Sequence, residues 1–194
     1  MTTSTAIAAD LKAKGFAIVD DFYGAEELAG LVTAFDARLD AGKFRAGGVG
    51  SGKATLADEI RRDQICWLDA SDPEVGWLFE KFANVRRDLN PLLFLGLRDE
   101  ELHFSNYEAG AFYRRHRDRF CDSDRRTLSF VSYLNRTWSK EWGGQLVVHF
   151  KGAPVEVIPT PNRAVFFLSD EIEHEVLATT HPRRSLTGWF RRGL

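Results

Sequence analysis

The chain is poor in cysteine, carries almost no net charge and contains no long apolar run. Cys66 and Cys121 are the two cysteines among 194 residues. Two thiols without a CxxC spacing cannot staple a domain of this size or form a thiolate zinc site, so both read as buried or idle thiols. A formal net charge of −2 excludes the broadly basic surface of a nucleic-acid or anionic-membrane binder. No stretch reaches the ~18 apolar residues of a transmembrane helix. The opening MTTSTAIAADLKAKG lacks the basic start and apolar core of a signal peptide. Repeats and low-complexity linkers are absent too. The expectation is one soluble, cytoplasmic domain over residues 1–194, with no membrane or nucleic-acid partner, as a monomer or weak dimer.

What is present is apolar and aromatic: 44% hydrophobic and 12% aromatic residues, enough for a large core. Ile7 to Lys14 predicts a short helix ending at Gly15, and Phe16 to Val19 a strand. Leu28, Leu31, Val32, Phe35 and Leu39 recur at helical spacing and predict a long amphipathic helix over 25–39. Residues 42–54 hold five glycines and two lysines and predict a loop. Its GVGSGK imitates a phosphate-binding loop. However, it follows a helix, and Ala54 stands where that motif needs Ser or Thr. Ile65 to Leu68 predicts a strand. Pro73 is expected to open a second long helix, with Val75, Leu78, Phe79, Phe82, Val85 and Leu89 on its buried face. From Leu102 onward the texture becomes short β-type runs: LHFSNY, TLSFVSYLN, GQLVVHF, AVFFL and SLTGWF. Helices first and strands afterwards, without βαβ alternation, predict an α+β chain. Helical support occupies about 1–100 and a mainly antiparallel β core about 101–192, with the two long helices backing a sandwich or barrel.

Five histidines occur, and any one alone is most simply a surface or satisfied core residue. His116-Arg117-Asp118 is different, because residues two apart on an extended segment point the same way. Imidazole and carboxylate can then share one metal. His174, just beyond AVFFL, is placed to be the third ligand. Two histidines and one carboxylate leave open positions on the ion, the arrangement of non-haem iron(II) oxygenases. Nine residues on, Arg183, Ser185, Thr187 and Trp189 share one face of a predicted strand. A buried guanidinium there needs an anionic partner. A dicarboxylate cosubstrate matches it as a planar fork, with Ser185 adding a hydrogen bond. Arg184, facing the other way, is expected to be solvent-exposed. The six arginines between Arg114 and Arg126 are interleaved with Asp118, Asp122 and Asp124. They read as a solvated rim rather than a nucleic-acid patch.

His116-x-Asp118, His174 and Arg183-x-Ser185 together resemble the signature of Fe(II)/2-oxoglutarate-dependent oxygenases. Within that superfamily the chain is similar to prolyl 4-hydroxylases related to the hypoxia-inducible-factor enzymes and their bacterial counterparts. Ile60 to Trp67, Tyr113 to Asp118, Tyr133-Leu-Asn135, Trp142-Gly-Gly-Gln-Leu146, Ser169-Asp170, His174-Glu-Val and Thr187-Gly-Trp189 carry that likeness. The resemblance implies a double-stranded β-helix (jelly-roll, cupin-like) core. It implies Fe(II) on His116, Asp118 and His174, with 2-oxoglutarate and O2 as cosubstrates and ascorbate as a further candidate. Arg183 and Tyr133 would hold the distal carboxylate. Tyr107 would lie near the chelating end, with Leu146, Thr187 and Ser185 around the cosubstrate. Arg61, Asp63, Arg126 and Trp189 would lie on the substrate side, with no catalytic residue beyond the metal centre. The implied reaction is hydroxylation of a prolyl residue in a protein loop. Hydroxylation of a free amino acid or other small molecule, and a non-catalytic binding sandwich, stand as alternatives. Residues 42–54 fit either a lid over the substrate or an ordinary surface loop.

Overall fold

The computed structural model describes residues 2–48, 58–118, 125–150 and 153–193. The first helix, α1 (Thr3–Lys14), starts four residues before its apolar pattern does, because the Thr2 hydroxyl accepts from the Thr5 amide. It ends at Gly15, which takes the left-handed conformation at φ 73° and donates back to the Leu11 carbonyl. β1 (Phe16–Val19) follows, then α2 (Ala25–Asp40). α2 buries Leu31 and Phe35 as expected. It also buries Arg38, which is held by Asp72, by Glu74 at 2.9 Å and by the Ala34 carbonyl at 2.8 Å.

β2 (Arg45–Ala46) lies inside the stretch expected to be a loop, paired with β3 (Gln64–Trp67). The remainder of the proposed lid, residues 49–54, lies outside the described residues. Pro73 does not open the second long helix. It sits in a turn closed by the Asp72 carbonyl, and α3 (Gly76–Leu93) begins after the buried Val75. The two long helices, α2 and α3, back the sheet as expected, and the short α1 packs beside them against β1 and α3.

The strands that follow are β4 (Leu97–Tyr107), β5 (Tyr113–His116), β6 (Arg126–Tyr133) and β7 (Leu146–His149). After them come β8 (Val155–Val157), β9 (Ala164–Leu168), β10 (Glu173–Val176) and β11 (Arg183–Arg192). A seven-stranded sheet runs β1-β9-β6-β11-β4-β3-β2, and a four-stranded sheet runs β5-β10-β7-β8. All pairings are antiparallel. The arrangement is a double-stranded β-helix. The first hundred residues supply strands as well as helices: β1 forms one edge of the large sheet, and β3 with β2 forms the other.

Alternation along the strands divides the core in two. Phe104, Phe130, Phe166, Leu186 and Phe190 point to the helices, where they meet Leu31, Phe35, Leu78 and Phe82. Tyr107, Val131, Tyr133 and Phe167 point the other way, into the space between the sheets, with Leu146, Val148 and Ile172. His103, Ser105 and Tyr107 on β4 and Arg183, Ser185, Thr187 and Trp189 on β11 share this second face. Gly188 on β11 pairs with Leu102 on β4 and leaves no room for a side chain. A Cβ there would lie 2.4 Å from Leu102 Cδ2 and 2.6 Å from the Glu101 carbonyl oxygen. Gly188→Ala is accordingly expected to cost about 1–3 kcal/mol by overpacking. Thermal unfolding would show it as a lowered midpoint, and an unchanged midpoint would mean that β4 and β11 can part at no cost.

Candidate active site

Strand pairing brings the first and third predicted ligands together. β5 and β10 are adjacent, with His174 opposite His116. Neither strand stood out in the sequence, since each is only four residues long. The two rings lie 4.3 Å apart between centroids. His116 donates through Nδ1 to the Arg114 carbonyl at 2.7 Å, and His174 through Nδ1 to the Ile172 carbonyl at 3.4 Å. Those carbonyls fix the tautomer and leave both Nε2 lone pairs free. Each Nε2 is 3.6 Å from one oxygen of Asp118. The three donor atoms lie within 4.8 Å of one another. Asp118 is in turn held by the Ser129 hydroxyl, donating at 2.6 Å, with Ser169 2.8 Å further along.

Burial would raise the Asp118 pKa, but His174, His116 and the Ser129 hydrogen bond outweigh it and hold the carboxyl well below the usual range. Burial pushes His174 the other way, down to about 4 against the pull of Asp118. At neutral pH the site thus presents a carboxylate and a neutral His174, the forms that ligate a metal. His103, deep in the same pocket, is likewise pushed down to about 4 by burial. The sign follows from linkage. An unfolded histidine titrates near 6.5, so the unfolded chain binds more protons than the fold between that pH and 4. Stability is present above pH 6.5 and is lost as the pH falls. Each histidine would cost about 3 kcal/mol when the shift is fully expressed. Chemical denaturation of the metal-free protein at pH 6.5 and at pH 5 is expected to show about half of this loss, and His103→Gln to reduce it. Equal stability at both values would contradict the burial argument.

The second cluster surrounds Arg183. This arginine is 1% exposed at the start of β11, opposite Tyr107 on β4. Its Nε donates to the Gly144 carbonyl at 2.9 Å, and its Nη1 lies 3.5 Å from the Ser185 hydroxyl. The guanidinium carbon lies 4.9 Å from the ring centres of both Tyr107 and Tyr133. Arg183 Nη2 and the Tyr133 hydroxyl are buried with no hydrogen-bond partner among the described residues. Such orphans in native folds call for a missing partner. An anion accepting from both would satisfy them. Burial pushes the Tyr107 and Tyr133 hydroxyls up, so both remain neutral donors. Gly144, at φ 69°, makes room for the arginine: a Cβ there would stand 3.1 Å from Arg183 Cδ.

A cavity of about 230 Å³ joins the two clusters. Arg183, Tyr107, Leu146 and Thr187 line one part of it, and the three ligands line another. Ser185 and Tyr133 sit behind the wall, fully buried. Arg61, Asp63, Arg126 and Trp189 also line it. Arg61 spends its fork on Asp63, with two contacts at 2.6 Å, and on the Gly48 carbonyl at 3.1 Å. Its face lies over Tyr113 at 4.3 Å, and Tyr113 stacks on His116 at 3.6 Å. Arg126 lies 3.6 Å over Trp189 and is paired with Glu101 at 2.7 Å. The sequence reading overlooked Trp67 and His103 in this wall. Their signal was parity: His103 stands two and four residues before Ser105 and Tyr107 on one strand. Arg184 does face away from the pocket, but it is not free in solvent. α2 covers it, and it pairs with Asp36 over the Phe35 ring. Among the other described arginines of the stretch 114–126, Arg115 and Arg117 share Glu173, Arg125 pairs with Asp99, and Arg114 donates to the Glu59 carbonyl. Cys66 is a buried free thiol, and Cys121 lies outside the described residues.

Two histidines and a carboxylate on one side of a pocket, leaving the other side of the ion to small molecules, define a non-haem metal-dependent oxygenase site. The donor set fits iron(II), and the orphaned guanidinium and hydroxyl fit a cosubstrate carboxylate. The profile described as the 2OG-Fe(II) oxygenase superfamily matches residues 102–191. A Pseudomonas putida prolyl-4-hydroxylase is 38% identical, with a TM-score of 0.90 over 99% of this chain and 100% of that one. The chain belongs to the 2OG-Fe(II) oxygenase superfamily, and its cofactors are Fe(II), 2-oxoglutarate and O2. Human Egl nine homolog 1 is 28% identical over 186 residues, 91% of this chain but 43% of that protein. The chain spans about half the length of such curated relatives. A Trichoplax adhaerens prolyl hydroxylase, solved in complex with a hypoxia inducible factor oxygen degradation domain peptide fragment, has a TM-score of 0.89 at 23% identity. That match covers 97% of this chain and 88% of that one, and it speaks for the fold. Among the described residues no helix is long and apolar enough to cross a membrane.

Proposed function

We propose that the protein is a peptidyl-prolyl hydroxylase acting on a proline in a protein loop, as a single cytoplasmic domain. One observation carries the reading: the facial triad and the orphaned Arg183 open into one cavity whose far wall reaches the surface at Trp67, 52% exposed. A pocket that ends in an exposed aromatic suits a residue presented on a chain better than an enclosed small molecule. The likeness to the Pseudomonas putida prolyl-4-hydroxylase over the whole length of both chains supports the same class of substrate.

Bound iron with 2-oxoglutarate and O2 supplies the oxidising power for C–H hydroxylation, with 2-oxoglutarate converted to succinate and carbon dioxide. His116, Asp118 and His174 hold the metal. Arg183 and Tyr133 grip the distal carboxylate, with Ser185 steadying the arginine. Tyr107, Leu146 and Thr187 shape the cosubstrate channel. On the substrate side, the Arg61–Asp63 pair and the stacked Arg126–Trp189 pair make a rigid wall. The aromatic lining excludes water from the reacting carbon.

The test is incubation with Fe(II), 2-oxoglutarate and a panel of proteins and prolyl peptides, read by mass spectrometry. The gain of one oxygen atom on a prolyl residue supports the proposal. Oxygen gain on free proline or another small molecule, with none on any peptide, refutes it. Running the assay with and without ascorbate measures that reductant's part in turnover.

A further inference from the structure

His103 has no place in metal or cosubstrate binding, yet it is a 2% exposed polar group in the pocket wall. β4 puts it on the same face as Ser105 and Tyr107. Across the ladders it stands opposite Trp67 on β3 and Thr187 on β11. Its ring centre lies 4.9 Å from that of Trp67 and 5.4 Å from that of Trp189, so two indoles flank it on the substrate side.

Its hydrogen bonding is one-sided. Nδ1 lies 3.2 Å from both the Phe104 carbonyl and the Ser105 hydroxyl. A carbonyl only accepts, which assigns the proton to Nδ1 and makes the Ser105 hydroxyl a second acceptor there. The charged groups facing the ring are Asp63, Arg61 and Arg126. The two arginines oppose a positive imidazole while the single carboxylate favours it, and burial outweighs them all in keeping the ring neutral. Nε2 is then a bare lone pair, and no hydrogen bond among the described residues uses it. The Trp189 Nε1–H, in the same wall, is buried without a hydrogen-bond partner among the described residues. The wall thus carries one unused acceptor and one unused donor on rings whose centres are 5.4 Å apart.

We propose that His103 Nε2 is a substrate-reading acceptor, which takes a hydrogen bond from a backbone N–H adjoining the proline to be hydroxylated. This rests on the prolyl-peptide reading above. Proline has no N–H of its own, so the first donor after it on the chain is the amide of the next residue. A neutral acceptor between two indoles selects that amide, and would be left unpaired by a substrate lacking it. His103 touches neither metal nor cosubstrate in this assignment. Its loss therefore acts on the substrate alone.

The probe is the prolyl peptide that gains oxygen in the screen, made also with the amide after the proline N-methylated. His103→Met keeps the volume and removes the acceptor, whereas His103→Gln keeps an acceptor. Expected are a peptide KM raised roughly tenfold in His103→Met, recovery in His103→Gln, and an unchanged KM for 2-oxoglutarate. The N-methylated peptide should be equally poor for wild type and His103→Met. An unchanged peptide KM in His103→Met, or the same tenfold loss on the N-methylated peptide, overturns the assignment while leaving the prolyl-hydroxylase reading intact. A variant that shifts the 2-oxoglutarate KM instead makes His103 a structural support and also overturns it. Failure of the wild type to oxidise any peptide overturns both.

Discussion

An Arg183→Met enzyme is expected to need about 10²–10³-fold more 2-oxoglutarate for half-maximal turnover, with no loss of stability in its cosubstrate-free form. The two halves of this result have one cause. Arg183 is a buried cation, and its Nη2 has no partner among the described residues. Without the cosubstrate, that guanidinium costs the fold desolvation energy that is only partly returned by Gly144 and Ser185. Methionine keeps the stem packed against Tyr107 and Tyr133 and removes the orphan. In the proposed cosubstrate complex the same guanidinium would pair with a carboxylate, a planar match that an ammonium could not reproduce. Arg183→Lys should therefore be impaired as well. Titrating 2-oxoglutarate in a succinate assay measures the first half of the result, and denaturation with and without the cosubstrate measures the second. Wild type should gain about 2.7 kcal/mol at a hundredfold excess over Kd, and the variant almost none. Arg184→Ala is the control, because it breaks a pair with Asp36 on the helix side. A 2-oxoglutarate KM that rises for Arg184→Ala and not for Arg183→Met would reverse the facing of β11 and with it the pocket.

The facing of β11 was legible because a strand obeys a period of two wherever its neighbours are. Arg183, Ser185, Thr187 and Trp189 could be set on one side before any fold was known. The long helix over α2 was legible for the same kind of reason, as its apolar period is strong. What the sequence did not show was long-range or short-lived pattern. β5 and β10 are too short to declare themselves, yet their pairing is what sets His174 against His116. Pro73 looked like a helix opener because that residue suits the first turn, but the Asp72 carbonyl captured the local amides into a turn instead. Arg38 carries a charge on an otherwise apolar helix face, and only the tertiary partners Asp72 and Glu74 make its burial affordable. Arg184 was expected in solvent for want of knowing that Asp36 would stand over it. His103 and Trp67 escaped notice because strand parity marks a face without saying what that face will enclose.

Asp118→Ala is expected to reduce turnover to background and to abolish tight binding of a divalent ion, a larger loss than that of Ser129→Ala. The grading follows from position. Asp118 supplies the one negative charge of the triad, and without it two imidazoles on adjacent strands must bind a dication alone. Ser129 supplies only the hydrogen bond that aims the carboxylate, at 2.6 Å. Loss of such an outer partner typically costs about 10–100-fold in metal affinity or activity. The fold should survive both changes. In the metal-free protein Asp118 is a buried carboxylate whose charge is answered by Ser129 and two histidines, and alanine removes the charge together with its desolvation cost. Calorimetric titration with Mn(II) separates the effects, because it reads the site without turnover. The expected order of affinity is wild type, then Ser129→Ala, then Asp118→Ala with no measurable binding. Mn(II) affinity that survives in Asp118→Ala would put the metal elsewhere, since among the described residues Asp118 is the carboxylate grouped with His116 and His174.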